Sequence, residues 1–313
     1  MPRSLRFLLL SLLLIGVNFA YADDLNRQLH DRYANRTFLL RGFYSGDQLG
    51  YNSQGEPFGG ATPGDWTTDG FVHLDDIRVS GHTLKIKAKR LLVVADKNGF
   101  HFRGEENPKK HKKATKGAAV EIEAELGPGS VPEQVDTFLS RTFLNPQDSF
   151  TDAVPGFWKP CISEGLSGSN EGCRFSPEMT AVPGIASSAA ATPPPTRNAT
   201  SEPKCPPGCD DSAASSGRVF HVGQGVKPPR ALFQPNPAFS EPARQAKYQG
   251  TLTLGLIVDE EGHPTNIHVL SPLGAGLEVK AVQTVETWKF QPAEKDGQPV
   301  RVGIAVEVDF HLY

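Results

Sequence analysis

Along much of this chain apolar and polar residues alternate with a period of two. Thr83 to Lys89 places Leu84, Ile86 and Ala88 on one face and Lys85, Lys87 and Lys89 on the other. Ala118 to Leu126 repeats the pattern with the opposite charge, with Val120, Ile122 and Ala124 on one face and Glu121, Glu123 and Glu125 on the other. Each stretch reads as a strand that buries one face and wets the other. If the two are neighbours, the lysine row faces the glutamate row, each cross-strand pair contributing about 0.2–1 kcal/mol. The plain alternative is a pair of unrelated solvated faces. From Phe71 the alternation of Val72, Leu74, Ile77 and Val79 is imperfect, and Ser80-Gly81-His82 then turns the chain. Asp96-Lys97-Asn98-Gly99 is a second turn signal. Helical spacing of Leu25, Leu29 and Tyr33 predicts a helix over 24–33, and Val131, Val135, Phe138, Leu139 and Thr142 predict another up to Leu144, with Pro132 suited to its first turn.

The same reading of the last stretch gives a strand over Gly250 to Val258, a turn at Asp259-Glu260-Glu261-Gly262 and a hairpin partner over Pro264 to Leu270. Leu277, Ala281, Val285 and Trp288 recur at helical spacing. A final strand is expected over Val300 to Leu312, with Val302, Ile304, Val306 and Val308 on one face and Phe310 and Leu312 continuing it. Ser240 is placed to cap a short helix whose first turn holds Pro242. A helix laid on a three-stranded antiparallel sheet is the smallest arrangement that buries these faces, and it leaves an open strand edge.

The fold class expected is therefore α+β in two domains, a β-rich N-terminal domain over 23–150 and a sheet packed on helices over 218–313. Between them, 151–217 is rich in Pro, Ala and Ser and reads as a linker. Residues 1–22 have a positive start at Arg3 and Arg6, an apolar run of about 13 to 16 residues and Ala20-Tyr21-Ala22 ahead of Asp23. They read as a cleaved signal peptide, the alternative being an uncleaved anchor, for which the run is short of the roughly 20 residues a span needs. The expected location is periplasmic or secreted, or else inner-membrane anchored and facing the periplasm. Export makes disulfides available to Cys161, Cys173, Cys205 and Cys209, for which the local pairing is Cys161–Cys173 and Cys205–Cys209. The competing reading of the short Cys205–Cys209 loop is a zinc site, for which no second pair of spaced ligands follows.

A formal net charge of -3 over 313 residues gives no reason to expect nucleic acid as a partner. The lysine-rich loop over Lys109–Lys116 is read as a solvated tip, against the alternative of contact with a polyanion. No HExxH, nucleophile elbow or spaced set of metal ligands stands out, so no enzyme, no cofactor and no metal are expected. The aromatic opening Phe43, Tyr44, Tyr51, Phe58, Trp66 and Phe71 is either core or a ligand platform on an open sheet face.

The order of short motifs over Asn236 to Tyr313 resembles the C-terminal domain of TonB-family energy transducers. Those motifs are Asn236 to Arg244, Gln249-Gly250, Val258 to Gly262, Ile267 to Ser271, Gly276-Leu277, Trp288 to Ala293, Asp296 to Val300 and Val308-Asp309-Phe310. The resemblance implies a periplasmic module that pairs an extended peptide of an outer-membrane or other envelope protein with an edge strand. Here that strand is expected to carry Val300, Val302, Ile304, Val306, Val308 and Phe310. It further implies transient dimerisation and, with an uncleaved N-terminus alone, coupling to an inner-membrane motor complex. Two other readings stay open, a membrane-anchored energy transducer for outer-membrane transport and an envelope structural or ligand-binding protein.

Overall fold

The computed structural model describes residues 23–59, 61–103, 119–185, 218–223 and 225–312. The expected signal peptide, the lysine-rich loop, Cys205 and Cys209 lie outside the described residues. Packing divides the chain into two compact units, Met1–Leu92 with Arg103–Asn145, and Val93–Phe102 with Pro146–Tyr313. The matched C-terminal motifs fall in the second.

The first unit is built on a six-stranded sheet in the order β1-β6-β7-β10-β3-β4. These strands are β1 (Arg36–Leu39), β3 (Gln48–Tyr51), β4 (Pro57–Phe58), β6 (Phe71–Ser80), β7 (Thr83–Arg90) and β10 (Ala119–Glu125). A small ribbon of β2 (Tyr44–Ser45) and β5 (Thr62–Pro63) stands beside them. All pairings in the sheet are antiparallel except that of β10 with β3. Leu84, Ile86, Val120 and Ile122 share one core with Leu29 of the helix over 23–33 and with Val135, Phe138 and Leu139 of the helix Val131–Thr142. Both helices therefore bury their apolar stripes on the same face of the sheet, as their spacing requires.

The opposite face carries the charge rows. β7 and β10 are neighbours, with Lys85 opposite Glu123 and Lys87 opposite Glu121, and Lys85 Nζ lies 2.7 Å from Glu123 Oε1. On the other side of β7, Asp76 faces Lys87, and Lys89 Nζ lies 2.7 Å from Asp75. A register shift between Leu74 and Asp76 explains the imperfect alternation of β6, because the extra residue lets both Leu74 and Ile77 face the core. The aromatic opening is mostly interior: Phe43, Tyr51, Trp66 and Phe71 are buried, and Phe58 is the exposed member at 50%. The ligand platform is thus not formed, since these rings supply core that short glycine-rich strands lack.

The second unit has at its centre a four-stranded sheet in the order β11-β19-β14-β15. Its members are β11 (Phe220–His221), β14 (Gly250–Val258), β15 (Pro264–Ser271) and β19 (Val302–Phe310). The expected three-stranded sheet is present with β14 in the middle, and β11 extends it. The helix Leu277–Val285 buries Leu277, Ala281 and Val285, ending earlier than the expected Trp288, which is itself buried. Ser240 caps the helix Glu241–Gln245 by accepting from the Ala243 amide at 3.2 Å. In the turn after β14, the Asp259 carboxylate accepts from the amides of Glu261 and His263. Gly262 has φ +85 and a Cβ there would meet the Phe290 carbonyl at 1.9 Å, so no other residue fits. The remaining short strands are β12 (Val226–Lys227), β13 (Arg230–Phe233), β16 (Lys289–Gln291), β17 (Ala293–Lys295) and β18 (Gln298–Val300). They pair as β12-β17-β18 and β13-β16.

Two segments join this unit that local sequence signals assign elsewhere. The hairpin of β8 (Val93–Asp96) and β9 (Gly99–Phe102) forms around the expected turn, and it packs in the second unit. The Ala95 amide donates to Leu273 O at 2.8 Å, the Ala275 amide to Val93 O at 2.7 Å, and the Tyr248 hydroxyl to Ala95 O at 3.0 Å. Residues 151–185 lie within the expected linker, yet the chain there forms the helices Lys159–Ser167 and Pro177–Thr180 with 3-10 turns at Gly156–Trp158 and Glu171–Cys173. Low apolar density is offset by concentration: Phe150, Trp158, Phe175 and Met179 are buried, and Phe100 of the hairpin stacks on Phe175 at 5.1 Å. Cys161 and Cys173 form a disulfide, both fully buried.

Lys87→Glu places a carboxylate between Asp76 and Glu121 and lowers unfolding free energy by about 0.5–1 kcal/mol, and adding Glu121→Lys recovers part of it. Urea denaturation of the two single variants and the double variant measures this. Replacing Cys161 and Cys173 by Ser removes a short covalent loop and lowers stability by about 3 kcal/mol, read by the same method.

Candidate peptide-docking edge of the C-terminal module

A sheet edge is a row of unpaired amides and carbonyls, and the second unit covers its two edges unequally. β14 is occupied on both sides, by β15 and, from Gly250↔Phe310 to Val258↔Val302 without a register break, by β19. The outer side of β15 is met by the disulfide-bonded segment. Asn170 Nδ2 donates to Leu270 O at 3.3 Å, and Cys173 Sγ lies 3.7 Å from the same oxygen. Asn170 is itself fixed, donating to Glu164 Oε2 at 3.0 Å and accepting from the Gly172 amide at 3.1 Å.

The outer side of β19 is covered only at its start. β11 pairs there in parallel with Val302 and Gly303, and the Phe220 amide donates to Arg301 O at 2.8 Å. From Ile304 to Phe310 this side meets no further strand among the described residues. The Arg301 carbonyl fixes the parity of the whole strand. Backbone groups alternate along a strand, so the amides and carbonyls of Ala305, Glu307 and Asp309 face the open side, and those of Ile304, Val306, Val308 and Phe310 face β14. The side chains alternate too: Ala305, Glu307 and Asp309 are exposed, Val308 and Phe310 are buried, and Ile304 and Val306 are half-buried. Phe310 is held by Phe239, edge to face at 5.4 Å.

Of the residues assigned to this strand from sequence, Val302, Ile304, Val306, Val308 and Phe310 lie in β19 and face inward. Val300 does not belong to it. Asp296 (φ +54) and Gly297 (φ +80) turn the chain back, so Val300 ends β18 and pairs with Ala293 of β17. The residues that present backbone to the open edge, Ala305, Glu307 and Asp309, were not singled out. Strand periodicity marks the buried face, and the parity of the edge appears only once β11 is in place.

Behind the sheet sits an ionisable group that sequence reasoning passed over. Glu278, in the first turn of the helix Leu277–Val285, is completely buried. Its Oε1 accepts from the amides of Leu273 and Gly274, both at 2.6 Å, and its Oε2 is buried without a hydrogen-bond partner among the described residues. Burial pushes this carboxyl above its ordinary value, against the pull of the backbone donors. The bonds pin the loop from which Leu273 O and Ala275 N reach the β8–β9 hairpin. Gly274 is required at that crossing, because a Cβ would lie 2.5 Å from Val94 Cα. An acid in a first helical turn looks from sequence like an ordinary exposed dipole partner, which is why it carried no signal.

In the first unit a cleft of about 220 Å³ is bordered by Asn52, Glu125, Glu133 and Arg141, with Leu126 and Phe138 among its lining. Arg141 spends one N–H on Gln54 O at 2.9 Å, and the Asn52 side chain is engaged in its own turn. Among the described residues no group of three His, Cys, Asp or Glu side chains is arranged to hold a metal ion.

Residues 235–312 match the family described as Gram-negative bacterial TonB protein C-terminal. The family is one of non-catalytic scaffolds, generally periplasmic protein-interaction modules. The TonB protein of Vibrio cholerae is 29% identical over 102 residues, which are 32% of this chain and 42% of that protein, so the chain spans well under half the length of this relative. A solution structure of the Pseudomonas aeruginosa TonB C-terminal domain aligns with 30% of this chain and 94% of its own, at 17% identity and a TM-score of 0.25. No helix among the described residues is long and apolar enough to cross a membrane.

The raised Glu278 carboxyl gives a signed pH dependence. Its proton is held more tightly folded than unfolded, so its contribution to stability is full below the unfolded value of about 4.3 and is lost as pH rises through the folded one. Glu278→Gln keeps an oxygen for Leu273 and Gly274 and has no charge to bury. Its stability relative to the parent is therefore expected to rise from pH 4 to pH 8 in urea titrations. Glu278→Ala strands both amides and lowers stability by about 1–3 kcal/mol for each donor.

Proposed function

We propose that this protein is a periplasmic binding module of the TonB type, which accepts an extended peptide of an envelope or outer-membrane transport protein as an added strand on the open side of β19. The observation that carries the reading is the run Ile304–Phe310. There, Ala305, Glu307 and Asp309 present their amides and carbonyls to an edge that no strand fills among the described residues, while the opposite edge of the sheet meets the disulfide-bonded segment. Main-chain hydrogen bonds to such an edge supply affinity with little demand on sequence, and pockets at alternate positions supply selectivity. The buried Cys161–Cys173 disulfide supports an oxidising compartment. The match over 235–312 supports a protein partner in the cell envelope.

The test is selection of heptapeptides from a phage library on the intact protein, followed by amide hydrogen exchange. A bound peptide is expected to slow exchange at Ala305, Glu307 and Asp309. Ala305→Pro removes one outward donor at a position where an edge strand tolerates proline, and it is expected to weaken binding by at least about tenfold. Peptides that bind without altering exchange at these amides would sink the reading.

A further inference from the structure

We infer that the strand accepted at this edge is basic on one face, with Lys or Arg at two positions separated by one residue, and apolar on the other. The inference rests on the strand-addition reading and specifies its partner. A strand hydrogen-bonded along Ile304–Phe310 must lay alternate side chains beside those of β19, whichever way it runs. On the exposed face its neighbours are Ala305, Glu307 and Asp309. Two carboxylates of like sign stand at adjacent positions of that face, and nothing on the strand behind them neutralises them. Glu307 is opposite Thr253, Asp309 opposite Thr251 and Ala305 opposite Gly255. Thr251 donates its hydroxyl to Asp309, which orients the carboxylate and leaves its charge in place.

The charge is also placed at one end of the edge. Where β11 lies, His221 belongs to the strand itself, and Arg218 and Lys295 stand over the Phe220 ring at 5.4 Å and 4.8 Å. The open run beyond Gly303 carries Glu307 and Asp309 alone until His311. A partner with acidic residues beside Glu307 and Asp309 would set like charges across a ladder, which is destabilising, and a partner with basic residues there satisfies them. On the inner face Ile304 and Val306 remain half-buried, so apolar side chains on the alternate positions of the added strand would complete their burial.

The test uses the full chain and two symmetric heptapeptides, Thr-Val-Lys-Val-Lys-Val-Thr and Thr-Val-Glu-Val-Glu-Val-Thr, which present the same pattern in either strand direction. The lysine peptide is expected to bind about tenfold tighter at low salt, with slowed amide exchange at Ala305, and the advantage is expected to shrink as salt screens it. The double variant Glu307→Lys with Asp309→Lys is expected to reverse the preference. Equal binding of both peptides with protection at Ala305 leaves strand addition standing and overturns the charge inference. Lysine-peptide binding that the double variant does not reverse places the attraction elsewhere on the protein and overturns it as well. Failure of both peptides to bind or to protect Ala305 overturns strand addition at this edge and the inference with it.

Discussion

Every strand at the margin of a sheet leaves half of its amides and carbonyls without partners, and that single requirement organises the second unit. β14 is satisfied on both sides by β15 and β19. Asn170 and Cys173, held by the helix and turn of a disulfide loop, meet the carbonyl of Leu270 on the far side of β15. The segment that precedes the family-matched region closes three short ladders in succession, β11 on β19, β12 on β17 and β13 on β16. Along β19 one contiguous run is left open among the described residues, and it begins where the cover of β11 ends. An exposed edge invites indiscriminate pairing, so a protein that keeps one must limit its length and mark it chemically. Two residues of β11 shorten it, and two carboxylates mark it.

The first unit meets a related demand with side chains. Its sheet is apolar on the helix-covered face and ionic on the other, with Arg78, Lys85 and Glu123 in one row and Asp76, Lys87 and Glu121 in the next. Such exposed pairs contribute little to stability singly. Their worth is in register, since a one-residue slip would set lysine against alanine and turn the buried face outward. Charge thus selects a neighbour inside this sheet, and in the second unit it is available to select one from outside.

Local chemistry was legible in the sequence and long-range chemistry was not. The lysine and glutamate rows, the Asp259–Gly262 turn, the Ser240 cap and the inward face of β19 each depend on residues a few positions apart, and periodicity or turn rules read them directly. The C-terminal fold was legible for a further reason, the order and spacing of motifs from Asn236 onward. Residues 151–185 read as a linker because their prolines and small residues outnumber the few large rings and the buried disulfide that hold them. Val300 was drawn into β19 by its apolar side chain, although the turn at Asp296-Gly297 assigns it to a separate hairpin. The edge residues Ala305, Glu307 and Asp309 escaped because their outward backbone comes from strand direction, which the side-chain pattern does not encode. Glu278 escaped because the groups that bury it are supplied by the fold.

The contact of Val94 with Gly274 has a bearing on how the protein is made. The β8–β9 hairpin is made before Arg174 and Phe175, which meet Phe100, and well before Tyr248, Leu273 and Ala275, Tyr248 lying 153 residues after Ala95. Phe100 meets Phe175 first, but until Leu273 and Ala275 are made Val93, fully buried in the finished unit, lacks the backbone partners of that crossing. Closing so long a loop is slow, and waiting apolar strands are prone to aggregate. Completion of the second unit therefore waits on residues as far along as Ala275, and until they are made the hairpin is the element with backbone left to pair.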